Sequence, residues 1–179
     1  GNRSKKVESM QFDAFDSGNY PPLAKAGVKI DYNQAAIRKP DNKPVSLLTN
    51  FNTNIAILKL FPGIREPVVR AVLDTGGLKA VILETYGSGN APTSPWLIEL
   101  LAKAINSDII IVNVSQCPGG MVVQGKYETS KELKRIGVLS GADMTTEAAL
   151  TKLMVLLGQY SVEACREMIE QDIAGELTT

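Results

Sequence analysis

Apolar residues gather into short blocks from residue 55 onward, and the spacing within each block predicts its element. Ile55 to Phe61 is a run of branched side chains with the length of a buried strand. Pro62-Gly63 breaks it, and Ile64, Val68, Ala71 and Val72 then recur at helical spacing until Gly76-Gly77. Ala80 to Leu83 reads as a second buried strand. A loop with Gly87, Gly89 and Pro92 follows, then a helix from Pro95 to about Ile105, since proline is tolerated in a first turn. Asp108 to Val114 is a third, almost wholly aliphatic strand, Met121 to Lys126 a hairpin or extended loop, and Val138-Leu139 a fourth, very short strand. Asp143 or Thr145 can cap the next helix, which runs to about Leu157, by accepting from the free N–H groups of its first turn. Ala149, Leu150, Leu153, Met154, Leu156 and Leu157 put apolar surface on more than one side of it, so both faces should be covered. Ser161 opens a last helix ending near Ile173 to Gly175.

Strand and helix alternate at spacings that suit right-handed crossovers. The expected fold is α/β: three layers, a small parallel sheet of about four strands flanked by helices, Rossmann-like. Residues 1 to 53 are different. Asp13, Ser17, Gly18, Asn19, Pro21, Pro22, Pro40, Asp41, Asn42 and Pro44 punctuate them, which predicts loops and short extended pieces. The expected division is therefore 1–53 as an arm and 54–179 as the α/β domain.

Composition adds exclusions. The chain has 179 residues, 44% hydrophobic and 21% charged, as expected for a globular domain. Nineteen basic and nineteen acidic residues give zero formal charge, with no basic cluster of the kind nucleic acid requires. No apolar stretch approaches the roughly 20 residues needed to span a bilayer, and two cysteines do not make a disulfide framework. A cytoplasmic setting is expected. There is no histidine, which removes Ser-His-Asp and Cys-His catalysis and histidine metal sites from this chain.

In open parallel sheets, ligands sit at the carboxyl ends of the strands. That rule selects Pro62-Gly63, Glu84 to Asn90, Ser115 to Gly119 and Gly141 to Asp143. Gly87-Ser88-Gly89 lacks the third glycine of a dinucleotide cradle, so a tight turn or a partner-facing loop is expected there. Cys117 has no histidine to lower its pKa, and simple packing is the ordinary role of such a thiol. Asp143 and Glu147 suit helix capping and the helix dipole better than acid–base work. Lys152 fits either solvation or an interface ion pair. Glu8 with Lys5-Lys6, and Lys131 to Arg135, read as solvated charge clusters.

Three segments carry a resemblance when taken in order: Leu83-Glu84-Thr85-Tyr86-Gly87-Ser88-Gly89-Asn90-Ala91-Pro92, Asn113-Val114-Ser115-Gln116-Cys117, and Gly141-Ala142-Asp143-Met144-Thr145-Thr146 through Leu153. Together they resemble the C-terminal domain of the cytoplasmic, type I bacterial L-asparaginases. Gly1 to Ser4, and Phe12 to Leu23, resemble that family's link from the N-terminal domain, so residues 1–53 are expected to be an interdomain link and arm.

The resemblance implies a homodimeric or homotetrameric amidohydrolase that converts L-asparagine to L-aspartate and ammonia. It implies a threonine nucleophile in an N-terminal catalytic domain upstream of Gly1, no cofactor, no metal, no nucleic acid and no membrane. No catalytic residue is then expected here, and the chain should be inactive alone. It also implies that Tyr86, Gly87, Ser88, Gly89 and Asn90 form a substrate or interface loop closing a neighbouring subunit's site, with Asn90 as the best polar contact. Some members carry a regulatory asparagine site at positions matching Glu84, Ser115, Gln116 and Cys117. There the position of Glu84 can be arginine, which forks onto a ligand carboxylate; glutamate repels it unless it pairs with the ligand's ammonium. Asparagine is therefore not expected to bind as an effector. Two other readings remain: a free-standing small-ligand-binding or regulatory module, and an asparaginase-like subunit of a tRNA-dependent amidotransferase, against which the lack of basic surface counts.

Overall fold

The computed structural model describes residues 1–39, 44, 46–125 and 128–178. Its centre is a four-stranded, all-parallel sheet in the order of the sequence: β5 (Ile55–Lys59), β6 (Ala80–Thr85), β7 (Ile110–Ser115) and β8 (Leu139–Ser140). The three expected longer strands are present: the first two begin where expected and end two residues away, and the third is displaced by one or two residues at each end. Met121 to Gly125 form no strand, and Lys126 lies outside the described residues.

The central strands β6 and β7 are apolar on both sides because both faces are covered there, whereas the edge strand β5 leaves Ile57 half exposed. Val81, Leu83 and Ile111 point to one face, where they meet Val69 and Leu73 of α1 (Glu66–Leu73), Leu97, Leu101 and Ala104 of α2 (Pro95–Asn106), and Leu133 of α3 (Glu128–Arg135). Ala80, Ile82, Ile110, Val112 and Val114 point the other way. They meet Ala149, Leu153 and Leu156 of α4 (Thr146–Gln159) and Cys165 of α5 (Val162–Met168). The helix α3 is an addition to the sequence reading. Its charged residues mark a solvated helix face, with the buried Leu133 as its apolar anchor and Ser130 buried beside it.

Residues 1–39 make two small antiparallel hairpins, β1 (Lys5–Lys6) with β2 (Phe15–Asp16) and β3 (Ala24–Ala26) with β4 (Ile30–Tyr32). Further on, residues 50–52 run along α4: Asn52 N–H donates to Met154 O at 3.0 Å, and a Cβ on Gly158 would lie 2.3 Å from Asn50 O. Only glycine fits at 158.

One helix start resolves between its two expected caps, and one helix end differs from expectation. Thr145 caps α4, its hydroxyl accepting from Ala148 N–H at 3.1 Å, whereas Asp143 caps nothing. Its carboxylate instead holds Arg3 (2.7 Å) and the amide and hydroxyl of Thr178 (2.8 and 2.6 Å). The last helix, capped by Ser161, ends at Met168 rather than near Gly175. The chain then turns back, and Glu176 reaches Lys152 at 2.6 Å with both side chains buried. Lys152 is thus an internal anchor for the C-terminal tail rather than a solvated side chain. No helix among the described residues is long and apolar enough to cross a membrane.

Candidate functional site

All four strands end on one edge of the sheet, and the loops leaving them converge there. The loop after β6 is a closed turn. Tyr86 N–H donates to Asn90 O (2.8 Å) and Asn90 N–H to Tyr86 O (2.9 Å), with Gly87 and Gly89 at φ +49° and +100°. Residues with a Cβ rarely adopt that conformation, so the glycines are what allow the chain to reverse in this space. The turn is also held from below by β7. Ser115 Oγ donates to Gly87 O at 2.6 Å, and Asn113 Nδ2 donates to Gly89 O at 3.1 Å. From the side, Val123 N–H donates to Ser88 O at 3.0 Å. Tyr86, Ser88 and Asn90 are half-buried and Gly87 is exposed.

Beside this turn lies a small cleft of about 40 Å³, lined by Lys5, Lys59, Glu84, Ser115, Gln116, Cys117, Thr145 and Thr146 among others. Glu84, Ser115, Gln116 and Cys117, singled out by sequence, do come together. The Glu84 carboxylate is already engaged. It accepts from the Thr146 hydroxyl at 2.6 Å and pairs with Lys59 Nζ at 3.1 Å, from the position that faces it in the β5–β6 ladder. Burial pushes its pKa up, but the Thr146 hydroxyl, Lys59 and the charge of Lys5 outweigh that and hold it below the ordinary value. Gln116 spends its amide on Leu60 O (2.6 Å) and Glu84 O (2.9 Å), tying β5, β6 and β7 together. Cys117 is exposed at the rim, so packing is not its role; the buried thiol is Cys165.

Sequence reasoning missed Lys5, Lys59, Thr146 and Asn113. Lys59 faces Glu84 only through strand register, and Lys5 arrives from the arm. Asn113 carried a signal: it is the polar residue inside the aliphatic stretch Ile-Ile-Val-Asn-Val. A buried amide needs partners there.

Residues 54–169 match the glutaminase/asparaginase C-terminal domain family. The chain belongs to that family. This asparaginase-type domain is 40% identical to the L-asparaginase 1 of Escherichia coli K12, over 99% of its own length and 53% of the relative's. It is also 40% identical to the human 60 kDa lysophospholipase, over 99% of its length and 31% of that protein. The crystal structure of L-asparaginase I from Vibrio cholerae superposes with a TM-score of 0.91 at 38% identity, covering 99% of this chain and 54% of the other. The domain thus spans about a third to a half of the proteins it resembles.

Proposed function

We propose that this chain is the C-terminal domain of an L-asparagine amidohydrolase, supplying a loop that completes the active site while the threonine nucleophile lies in a separate catalytic domain. The observation that carries the reading is the Tyr86–Asn90 turn, pinned by Ser115 and Asn113 at the strand-end edge of the sheet. A loop that only connected two elements would need no such support; one that presents a polar group to a substrate gains from being ordered beforehand. Asn90 is the residue that makes the substrate contact, and neighbouring subunits of a homodimer or homotetramer are the partners. On this reading the nucleophile lies outside the chain, and the chain is inactive alone.

The cleft at Glu84 is not an effector site for asparagine. Lys59 and Thr146 occupy the carboxylate, and an amino-acid ammonium would have to displace them from it.

Mixing the chain with a separately expressed N-terminal half of an L-asparaginase 1 relative tests the loop. Asn90→Ala is expected to raise KM for L-asparagine about tenfold, the cost of roughly one charge-assisted hydrogen bond. An unchanged KM in an active mixture would contradict the assignment of the loop.

A further inference from the structure

Asn113 lies in the middle of the sheet with no exposed surface, between Val112 and Val114. An amide there costs free energy that a valine would not, unless every polar atom is paired. Asn113 is paired outward, toward the turn. Its Oδ1 accepts from the buried Thr85 hydroxyl at 2.6 Å and its Nδ2 donates to Gly89 O at 3.1 Å; the Gly89 carbonyl, which can only accept, fixes which way the amide faces. With the amide reversed, an oxygen would face the Gly89 carbonyl. The contact is close on all sides: a Cβ on Gly89 would come within 3.2 Å of Nδ2 and 2.8 Å of Val122 Cγ1. On its other side, the Asn113 carbonyl accepts from Gly141 N–H at 2.7 Å, and a Cβ on Gly141 would approach that oxygen to 2.7 Å. One strand residue therefore touches both the loop after β6 and the loop after β8.

We infer that Asn113 is a positioning residue for the Gly89–Asn90 side of the 86–90 turn, beside Ser115 and Val123 on its Gly87–Ser88 side, the Thr85 hydroxyl–Asn113 amide–Gly89 carbonyl chain setting the height and tilt at which Asn90 is presented. The inference rests on the proposed role of that turn for its effect on substrate, but the positioning itself is a property of this chain. Asn113→Asp keeps the size and the acceptor for Thr85 while replacing the donor to Gly89 O with an oxygen. Thr85→Val removes the first link and leaves the second. Thr85→Ser keeps both.

Hydrogen exchange on the 179-residue chain reads the positioning directly. In Asn113→Asp the Gly89 and Asn90 amides are expected to exchange about tenfold faster, the loss of about one buried hydrogen bond, while the Val81–Leu83 and Ile111–Val112 amides stay protected. Thr85→Val gives a smaller change confined to the same two amides, and Thr85→Ser gives none. In the mixture with the N-terminal half, Asn113→Asp raises KM for L-asparagine more than it lowers kcat. Equal loss of protection across β6 and β7 would make Asn113 merely a core residue and overturn the inference, as would unchanged Gly89 and Asn90 amides. An inactive mixture would instead remove the functional reading of the turn, with the exchange result still deciding whether Asn113 positions it.

Discussion

The Arg3 guanidinium lies 2.7 Å from the Asp143 carboxylate, joining residues 140 positions apart in a contact from which solvent is almost excluded. Thr178 completes the cluster from the C-terminal tail with its amide and hydroxyl. Both ends of the described chain are thus fastened to the loop that precedes α4 and the Glu84 cleft. Arg3 also stacks over the Tyr20 ring at 5.0 Å, and Asn19 Nδ2 donates to Gly120 O at 2.8 Å, so the arm is bound to the strand-end edge at several points.

Removing one member of that cluster leaves a buried charge without its partner. Asp143→Ala is expected to destabilise the chain by about 3 kcal/mol, the usual cost of breaking a buried ion pair from one side. Denaturant unfolding checks it; a change within about 0.5 kcal/mol, typical of surface substitutions, would contradict the account.

Glu176 sets the acid limit. Burial alone would raise its pKa, but the hydrogen bond from Lys152 and the amides of Ala174 and Ile173 hold it down to about 2, against an ordinary value of 4.5. Because the folded value is depressed, its contribution is fully present above pH 4.5 and is lost as pH falls from there toward 2. Asp143, also held below its ordinary value against the effect of burial by Thr178 and Arg3, acts in the same direction. The stability of the parent should fall more steeply over this acid window than that of Glu176→Gln, measured by thermal unfolding. Parallel curves would show that the carboxylate is not linked to folding.

At the Glu84 cleft, calorimetry of the chain with L-asparagine at millimolar concentration should show no saturable heat. Saturable binding abolished by Glu84→Ala would establish the effector site that the Lys59 and Thr146 contacts argue against.

The arm carries apolar side chains with little cover. Met10, Phe12 and Val28 are 92%, 109% and 105% exposed, and Leu47 is 85% exposed. Surfaces of this kind mark interaction sites. Light scattering at high concentration should therefore report a mass above that of the monomer, and a clean monomer would remove the argument that these side chains meet a partner.

What was legible in the sequence follows from range. The β–α alternation and the strand-end loops come from local periodicity, so Ile55–Lys59, Ala80–Thr85 and Ile110–Ser115 were recognisable to within one or two residues. The strand-end rule selected Glu84 and the 115–117 segment, the family resemblance grouped them as one candidate site, and the fold does bring them together. The arm showed only its punctuation, not the pairing of its hairpins. Asp143 read as a helix cap because its real partners, Arg3 and Thr178, are 140 and 35 residues away. Lys152 stayed open between solvation and an interface ion pair for the same reason, since Glu176 approaches only after the tail folds back. The helix Glu128–Arg135 escaped because one buried leucine gives no periodicity to detect.

Ammonia release from L-asparagine, by the chain alone and then mixed with a separately expressed N-terminal half of a type I relative, tests the central claim most directly. The account predicts silence alone and activity on mixing. Release by the chain alone would mean a nucleophile within it, and the division of labour proposed here would be wrong.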